Sequence, residues 1–146
     1  MTNPSETSTL TPFHVAVPVL DLASSLAFYQ WLFPVTIGRQ TAQWADLNLY
    51  GHQFVLHEVP EHTPQINHNP VDGHAVPVPH YGVILPMADW QVLADRLQAE
   101  QVEFVIEPYI RFQGQAGEQG TFFLLDPSGN ALEFKGFNDF SQIFAR

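Results

Sequence analysis

The order of apolar and polar positions predicts the same succession of elements twice along the chain. In the first half, the Val-rich segment FHVAVPVLDL predicts a strand, and Asp21 at its end is a candidate N-cap for a helix. That helix carries apolar residues at helical spacing: Leu22, Leu26, Tyr29 and Leu32. Pro34 ends it, and three extended segments follow, at about 35–40, 43–49 and 52–59. The predicted order is strand, helix and three strands.

The second half predicts the same order. HYGVIL is typical of a strand, and Asp89 is a candidate N-cap for a helix with Trp90, Leu93 and Leu97 on one side. VEFVIEP, TFFLLD and ALEF then predict three strands. The last two are joined by DPSG, a sequence with turn-forming residues at every position.

The segment between the halves is rich in proline. Residues 60–77 hold Pro60, Pro64, Pro70 and Pro77, a density that argues against regular structure and predicts a long connector. The expected organisation follows: a flexible leader at 1–11, one domain at 12–137 and a C-terminal tail at 138–146. Within the domain we expect module one at 12–59, the connector at 60–77 and module two at 78–137.

Two βαβββ modules exclude a doubly wound parallel sheet. Strands joined by short turns pair mainly antiparallel, and one helix per module covers one face of its sheet. The sequence therefore predicts an α+β fold in which two βαβββ modules form an open, mainly antiparallel sheet. We expect the remaining faces to meet around a cleft.

Composition and charge narrow the functions. The chain has 146 residues, a formal net charge of −10, one lysine and no cysteine. Disulfides, thiolate metal sites and a cysteine nucleophile are excluded, and the scarcity of cations argues against nucleic acid and anionic membranes as partners. No apolar run is long enough for a membrane span and the N-terminus lacks the features of a secretory signal, so we expect a cytoplasmic protein.

Three polar residues interrupt predicted strands. His14 and His80 stand at matching positions, at the start of the first strand of each module. Glu133 lies within ALEF, on the strand face opposite Leu132 and Phe134. Each alone is typical of a hydrogen-bonded surface histidine or a solvated carboxylate. Two imidazoles and a carboxylate facing one cleft, however, suit a divalent metal with open positions.

Three segments resemble the signature blocks of the vicinal oxygen chelate superfamily: FHVAVPVLDLASSLAFYQWLF, VPHYGVIL and FFLLDPSGNALEFKGF. That family includes glyoxalases, bleomycin and fosfomycin resistance proteins and extradiol dioxygenases. The resemblance covers roughly residues 12–137. It implies paired βαβββ modules in an open, cupped sheet around a metal cleft, with His14, His80 and Glu133 as the metal ligands.

One position departs from the glyoxalase pattern. Glyoxalase-type members use a fourth ligand, Glu or Gln, at the position of module one equivalent to Glu133, and alignment of GHQFV with GNALE places Val55 there. Valine cannot bind a metal, so the site resembles the three-ligand site of the extradiol dioxygenases. A register slip of two residues would instead make Gln53 a fourth ligand.

The resemblance implies an Fe(II)-dependent dioxygenase that oxidises a small chelating substrate with O₂. His57 is a candidate acid–base residue or a packed strand histidine, and Gln53, Tyr109 and Arg111 are candidates for substrate binding. A surface salt bridge with Glu107 or Glu118 is the competing use of Arg111.

Two other functions stay open. One is a glyoxalase-like lyase or isomerase on Mn, Ni or Zn, in which Gln53 or His57 would complete the metal shell. The other is a non-catalytic binder of small molecules that resembles the bleomycin resistance proteins. The glycine-rich segment 111–120 is either a lid or a plain hairpin loop. We expect the connector histidines to be exposed and, by analogy, a homodimer. Those histidines are His62, His68 and His74.

Overall fold

The computed structural model describes residues 10–146. The chain divides into two compact units, one ending at His62 and the other spanning Thr63–Arg146. Most of the predicted leader, residues 1–9, lies outside the described residues. No helix among residues 10–146 is long and apolar enough to cross a membrane.

The first unit is a four-stranded sheet with one helix. Its elements are β1 (His14–Val19), α1 (Leu22–Leu32), β2 (Thr36–Gln40), β3 (Trp44–Leu49) and β4 (His52–Glu58). The strand order is β1-β4-β3-β2; β1 and β4 are parallel, and the other neighbours are antiparallel.

The second unit repeats this arrangement and adds a hairpin before it. Its elements are β5 (Asn67–Val71), β6 (His74–Val78), β7 (Tyr81–Pro86), α2 (Met87–Ala99), β8 (Phe104–Arg111), β9 (Gln119–Leu125), β10 (Ala131–Phe137) and a 3₁₀ helix (Phe140–Gln142). The main sheet has the order β7-β10-β9-β8, in which β7 and β10 are parallel and β10 and β9 are antiparallel. Strands β5 and β6 pair with each other. The predicted α+β fold with two βαβββ modules and mainly antiparallel open sheets is confirmed.

The first helix begins and ends where the sequence predicts. The carboxylate of Asp21 accepts a hydrogen bond from the Ser24 amide at 2.8 Å, which satisfies one of the free donors of the first turn. The helix ends before Pro34, and its apolar positions are buried: Leu22, Leu26, Tyr29 and Leu32.

The predicted N-cap of the second helix is wrong. The helix starts at Met87 with Pro86 at the N-cap position, and Asp89 lies in the first turn instead. Strand β7 runs directly into this helix, so no loop residue is left for a side-chain cap. Asp89 still stabilises the helix start, because a negative charge there opposes the helix dipole.

The expected absence of regular structure at 60–77 is also wrong. Strands β5 and β6 form a hairpin whose turn residues, Asp72 and Gly73, have φ of 50° and 78°. Positive φ at both positions is characteristic of a type I′ turn, for which Asp-Gly is a favoured sequence. Each strand of a two-stranded sheet is an edge strand, and edge positions tolerate proline. The structure groups the β5–β6 hairpin with the second unit.

Two glycines make room for the largest buried side chain of the second unit. Trp90 of α2 is 1% exposed, and its indole N–H donates to the Phe134 carbonyl at 3.0 Å. A Cβ added at Gly136 would lie 2.5 Å from a Trp90 atom, and one at Gly120 would lie 2.7 Å away. Helix α2 therefore packs against β9 and β10 only because Gly120 and Gly136 lack side chains.

Replacing Gly136 with alanine should destabilise the second unit. The backbone conformation suits alanine, so the cost is the displacement of the Trp90 ring, about 1–3 kcal/mol for overpacking. Urea denaturation followed by tryptophan fluorescence measures it. Val92→Ala, on the exposed side of the same helix, is the control and should stay within about 0.5 kcal/mol. An unchanged midpoint for Gly136→Ala would contradict this packing.

Candidate metal site

His80 and Glu133 form a close pair in the second unit. The imidazole Nε2 lies 2.9 Å from one carboxylate oxygen of Glu133, and that side chain is only 10% exposed. Parallel pairing of β7 with β10 sets Gly82 beside Glu133, and a Cβ at Gly82 would collide with the Glu133 backbone carbonyl. The glycine lets the two strands approach closely at this point.

His80 and Glu133 each make a second hydrogen bond, through the ring nitrogen or carboxylate oxygen that does not face the other. Nδ1 of His80 donates to the Pro77 carbonyl at 2.6 Å, so Nε2 faces the carboxylate. The Thr121 hydroxyl donates to the other Glu133 oxygen at 2.9 Å. A backbone carbonyl on the outer imidazole nitrogen and a hydroxyl on the outer carboxylate oxygen are supports that metal ligands typically have.

The pair is strongly coupled electrostatically. The hydrogen bond to Glu133 raises the pKa of His80 above its usual range, against the opposing effect of burial. Burial favours the neutral acid of Glu133, but His80, Lys135 and Thr121 outweigh it and hold the pKa of that carboxyl below its usual range. The Lys135 ammonium lies 3.9 Å from the carboxylate. In the metal-free chain each member of the pair therefore favours the charged form of the other.

The donor set fits a divalent metal. Two ligand atoms that lie about 2.1 Å from one ion at a right angle are about 3 Å apart, and His80 Nε2 and Glu133 Oε2 are 2.9 Å apart. A metal would replace the proton on Nε2, because it needs the neutral imidazole. Within either unit, the described residues contain no group of three His, Asp or Glu side chains suited to a metal.

The first unit has a corresponding pair. His14 lies directly opposite Gln53 in the β1/β4 register, and its Nδ1 donates to the Gln53 amide oxygen at 2.7 Å. The Gln53 amide nitrogen is 3.4 Å from an Asp46 carboxylate oxygen. This contact fixes the His14 tautomer and leaves Nε2 as the ligand atom of the ring.

The strand registers agree with the alignment of Val55 with Glu133. Glu133 pairs with Gly82, two residues after His80, and Val55 pairs with Ala16, two residues after His14. Val55 is 5% exposed. The position of module one that is equivalent to Glu133 is thus buried and apolar. Gln53, two residues before Val55, contacts His14 instead.

His57 lies on the same strand face as Gln53 and Val55 by the period of a strand. It is exposed and stands opposite Trp44, with the two ring centroids 6.4 Å apart. Its acid–base role stays a prediction.

Tyr109 and Arg111 are both bound to one carboxylate of the β5–β6 hairpin. Arg111 Nε lies 2.6 Å from Asp72 Oδ2, and the Tyr109 hydroxyl donates to the same oxygen at 3.0 Å. The expected salt bridge of Arg111 with Glu107 or Glu118 is wrong. Strand β8 continues to Arg111, which brings that side chain to Asp72.

These contacts change the ionisation of the groups. The guanidinium of Arg111, followed by the Tyr109 hydroxyl, lowers the pKa of Asp72 below its usual range. Burial, then the hydrogen bond to Asp72, raises the pKa of the Tyr109 phenol. Asp72 is therefore a carboxylate, and Tyr109 a neutral donor, at neutral pH.

The connector histidines are less uniform than expected. His68 is exposed, but His62 is half-buried. His74 is also half-buried, and its ring packs on Tyr109 with centroids 5.0 Å apart. The expectation of exposure is wrong for His74 because β6 turns it toward β8 rather than toward solvent.

Two backbone amides of the glycine-rich segment donate hydrogen bonds to side chains. The Gly114 amide donates to Glu118 at 2.9 Å, and the Gly117 amide donates to Gln142 at 3.1 Å. The lid role stays a prediction.

Sequence reasoning missed three residues of the second unit that support the predicted site residues. They are Asp72, Pro77 and Thr121. The Asp-Gly hairpin signal could have indicated Asp72, and strand alternation places Thr121 and Gln119 on one face, but only the strand register shows which residues they meet.

The fold defines a class of proteins built from paired βαβββ modules. A family model described as the Glyoxalase/Bleomycin resistance protein/Dioxygenase superfamily matches residues 11–134, and the chain belongs to this superfamily. The predicted relationship to the vicinal oxygen chelate proteins is confirmed. Members are often metal-dependent enzymes and typically bind divalent metals.

Solved structures resemble this chain over most of its length. A glyoxalase/bleomycin resistance protein/dioxygenase from Alicyclobacillus acidocaldarius has a TM-score of 0.72 and 27% identity, and covers 99% of this chain and 100% of its own. A lactoylglutathione lyase from Agrobacterium tumefaciens has a TM-score of 0.63 and 18% identity, covering 93% and 97%. The fosfomycin resistance protein FosX from Listeria monocytogenes has a TM-score of 0.65 and 18% identity, covering 92% and 97%. No curated protein matches significantly.

The ion pair should give the metal-free protein a distinctive pH dependence. The raised His80 pKa contributes stability that is full below 6.5 and is lost as pH rises through the folded-state pKa. The lowered Glu133 pKa contributes stability that is present above 4.5 and is lost as pH falls through its folded-state pKa. The pair therefore stabilises the fold most between pH 4.5 and 6.5.

Histidine NMR titration of the metal-free protein tests this directly. The His80 ring should titrate above 6.5, and Glu133→Gln should move its pKa down. Glu100→Gln, on the exposed end of α2, is the control and should leave the His80 titration unchanged. A His80 pKa that is insensitive to Glu133→Gln would show that the two side chains do not interact in solution.

Proposed function

We propose that the protein is a divalent-metal-dependent enzyme whose metal is held by His14, His80 and Glu133. We further propose that it is an extradiol-type dioxygenase that oxidises a small substrate with vicinal oxygens. The observation that carries the proposal is the supported pair of His80 and Glu133, with donor atoms 2.9 Å apart. The family resemblance adds His14 as the third ligand.

The first unit supports three protein ligands rather than four. Val55 occupies the position equivalent to Glu133 and has no donor atom. Three protein ligands leave adjacent positions open for a chelating substrate and O₂, as in the facial triad of non-haem Fe(II) enzymes.

The supporting residues suit this chemistry. A bound Fe(II) would supply electron transfer between the substrate and O₂. Pro77 fixes the His80 ring through its carbonyl, and Thr121 orients Glu133, so both ligands are preorganised before a metal binds. His57 is the candidate base for a substrate hydroxyl proton, since histidine is the side chain that most often serves as a general base.

A glyoxalase-like lyase or isomerase on Ni, Zn or Mn is the second candidate. Gln53 stands directly opposite His14 in the β1/β4 register, which keeps an amide oxygen near the proposed ligand. That oxygen accepts from Nδ1 of His14 at 2.7 Å, on the side away from Nε2, so Gln53 would have to exchange this contact for the metal to become a fourth ligand.

Removal of any of the three proposed ligands should weaken metal binding strongly. We expect His14→Ala, His80→Ala and Glu133→Ala each to lower Fe(II) and Zn(II) affinity at least tenfold, because each removes a direct ligand. Anaerobic metal titration with elemental analysis measures the effect. His68→Ala, at an exposed histidine of β5, is the matched control and should bind as the wild type does.

A wild-type protein that binds no divalent metal tightly would overturn both enzyme proposals and leave the small-molecule binder. Full affinity in His80→Ala or Glu133→Ala would place the metal elsewhere.

Gln53→Glu separates the two enzymatic candidates, because a carboxylate keeps an acceptor for Nδ1 of His14. With three ligands, this variant should keep its metal affinity and its O₂ uptake on a catechol panel within a fewfold of the wild type. If Gln53 is a fourth ligand, the added negative charge on the metal should raise the metal affinity at least tenfold. Substrate-dependent O₂ uptake by the iron-loaded protein supports the dioxygenase. Its absence, together with raised metal affinity in Gln53→Glu, favours the glyoxalase-like enzyme.

A further inference from the structure

Arg111 and Tyr109 converge on a single carboxylate oxygen. Arg111 Nε lies 2.6 Å and the Tyr109 hydroxyl 3.0 Å from Oδ2 of Asp72. A guanidinium with a neutral hydroxyl is a strong donor set for a carboxylate, since the hydrogen bond to the cation is charge-assisted. The carboxylate that fills it here comes from the turn of a hairpin and is 39% exposed, whereas the arginine is 19% exposed.

This carboxylate position lies on the sheet face that carries Glu133. Thr121 stands opposite Tyr109 on one side and opposite Lys135 on the other, and its hydroxyl donates to Glu133. Directly opposite residues of antiparallel strands share a sheet face. Arg111 and Lys135 therefore lie on the same sheet face as Glu133, the proposed metal ligand. They are two of the five Lys and Arg residues in a chain with net charge −10.

A buried acceptor adjoins the same position. Gln119 stands opposite Arg111 in the β8/β9 register and is 7% exposed. Its amide nitrogen donates to Gly117, but among residues 10–146 its oxygen has no hydrogen-bond partner. Buried polar atoms are rarely left unpaired, so this oxygen suits a hydroxyl or amide donor of a bound molecule and not its carboxylate.

The β5–β6 hairpin connects this position with the metal ligands. Its Val71 and Val76 pack with Ile106, Phe123 and Tyr109 of the main sheet. At its base, the Pro77 carbonyl accepts the His80 hydrogen bond, and at its tip Asp72 binds Arg111. The hairpin thus spans from the proposed ligand to the cation.

The tip contact is one that another carboxylate can replace. Exchange of Asp72 for a ligand carboxylate keeps one negative charge on Arg111, so no cation is left unpaired in either state. Release of Asp72 moves the turn, while Val71, Val76 and the His74 ring still pack the two hairpin strands on the sheet.

We propose that Arg111 and Tyr109 form the binding position for a carboxylate of the substrate, and that Asp72 occupies it in the ligand-free protein. The hairpin tip is then a flap that opens when the substrate carboxylate enters. Combined with the proposed function, on which this part rests, the substrate class is a compound with vicinal oxygens and a carboxylate.

Benzoate binding to the metal-free protein tests the proposal. Benzoate lacks vicinal oxygens, so its binding reports on this position and not on the metal. We expect Asp72→Asn to bind benzoate at least tenfold more tightly than the wild type. In the wild type the Asp72 carboxylate occupies the position most of the time, so benzoate binds only to the small fraction of molecules in which the position is open. Asparagine tolerates the positive φ of this turn position, so the hairpin keeps its turn. Isothermal titration calorimetry gives the affinities.

Two further variants complete the design. The double variant Asp72→Asn with Arg111→Gln should lose the gain in benzoate affinity. Asp95→Asn, which removes the same charge from α2, should bind benzoate as the wild type does. Benzamide, the neutral analogue, should show no tighter binding to Asp72→Asn.

Unchanged or weaker benzoate binding by Asp72→Asn would overturn the proposal and leave the Asp72 contact as a structural salt bridge. An equal gain for benzamide, or a gain that survives Arg111→Gln, would overturn it as well. Because no metal takes part, the outcome is independent of the metal titrations. Tight benzoate binding in a protein that binds no metal would support the carboxylate position while refuting the enzyme.

Discussion

In each βαβββ module the first strand pairs in parallel with the last, β1 with β4 and β7 with β10, and the proposed chemistry depends on this pairing. It brings the residue at the start of one strand beside a residue that the chain reaches only at the end of the unit. His80 meets Glu133 in this way, and His14 meets Gln53. An antiparallel pairing of the same strands would reverse one of them and carry the imidazole away from its partner.

Several less conspicuous residues make the pairing chemically useful. Gly82 permits the close approach of β7 and β10, Pro77 orients the imidazole through its carbonyl, and Thr121 orients the carboxylate. Pro77 belongs to β6, so the hairpin that precedes the second module is part of its site. The local geometry of the histidine therefore depends on a segment outside the repeated βαβββ unit.

The features that sequence predicted well are those set by local pattern. Alternation and helical spacing gave the duplicated order of elements, and the matching positions of His14 and His80 followed from the duplication. The start of α2 could not be predicted, because β7 runs into the helix and no loop residue is available to cap it. The hairpin was missed because four prolines outweighed one Asp-Gly turn. The contact of Arg111 with Asp72 depends on where β8 ends and on the β5–β6 hairpin, so it could not be predicted from the local sequence pattern.

The two units differ at one equivalent position, where Val55 stands in place of the carboxylate of Glu133. Both positions lie in a central strand beside the first strand of the sheet, so the backbone is already placed for a donor in either unit. In the proposed metal site, a single side-chain replacement at this position would add or remove a protein ligand without a change in strand order. The number of ligands and the strand order are therefore set by different features of the sequence.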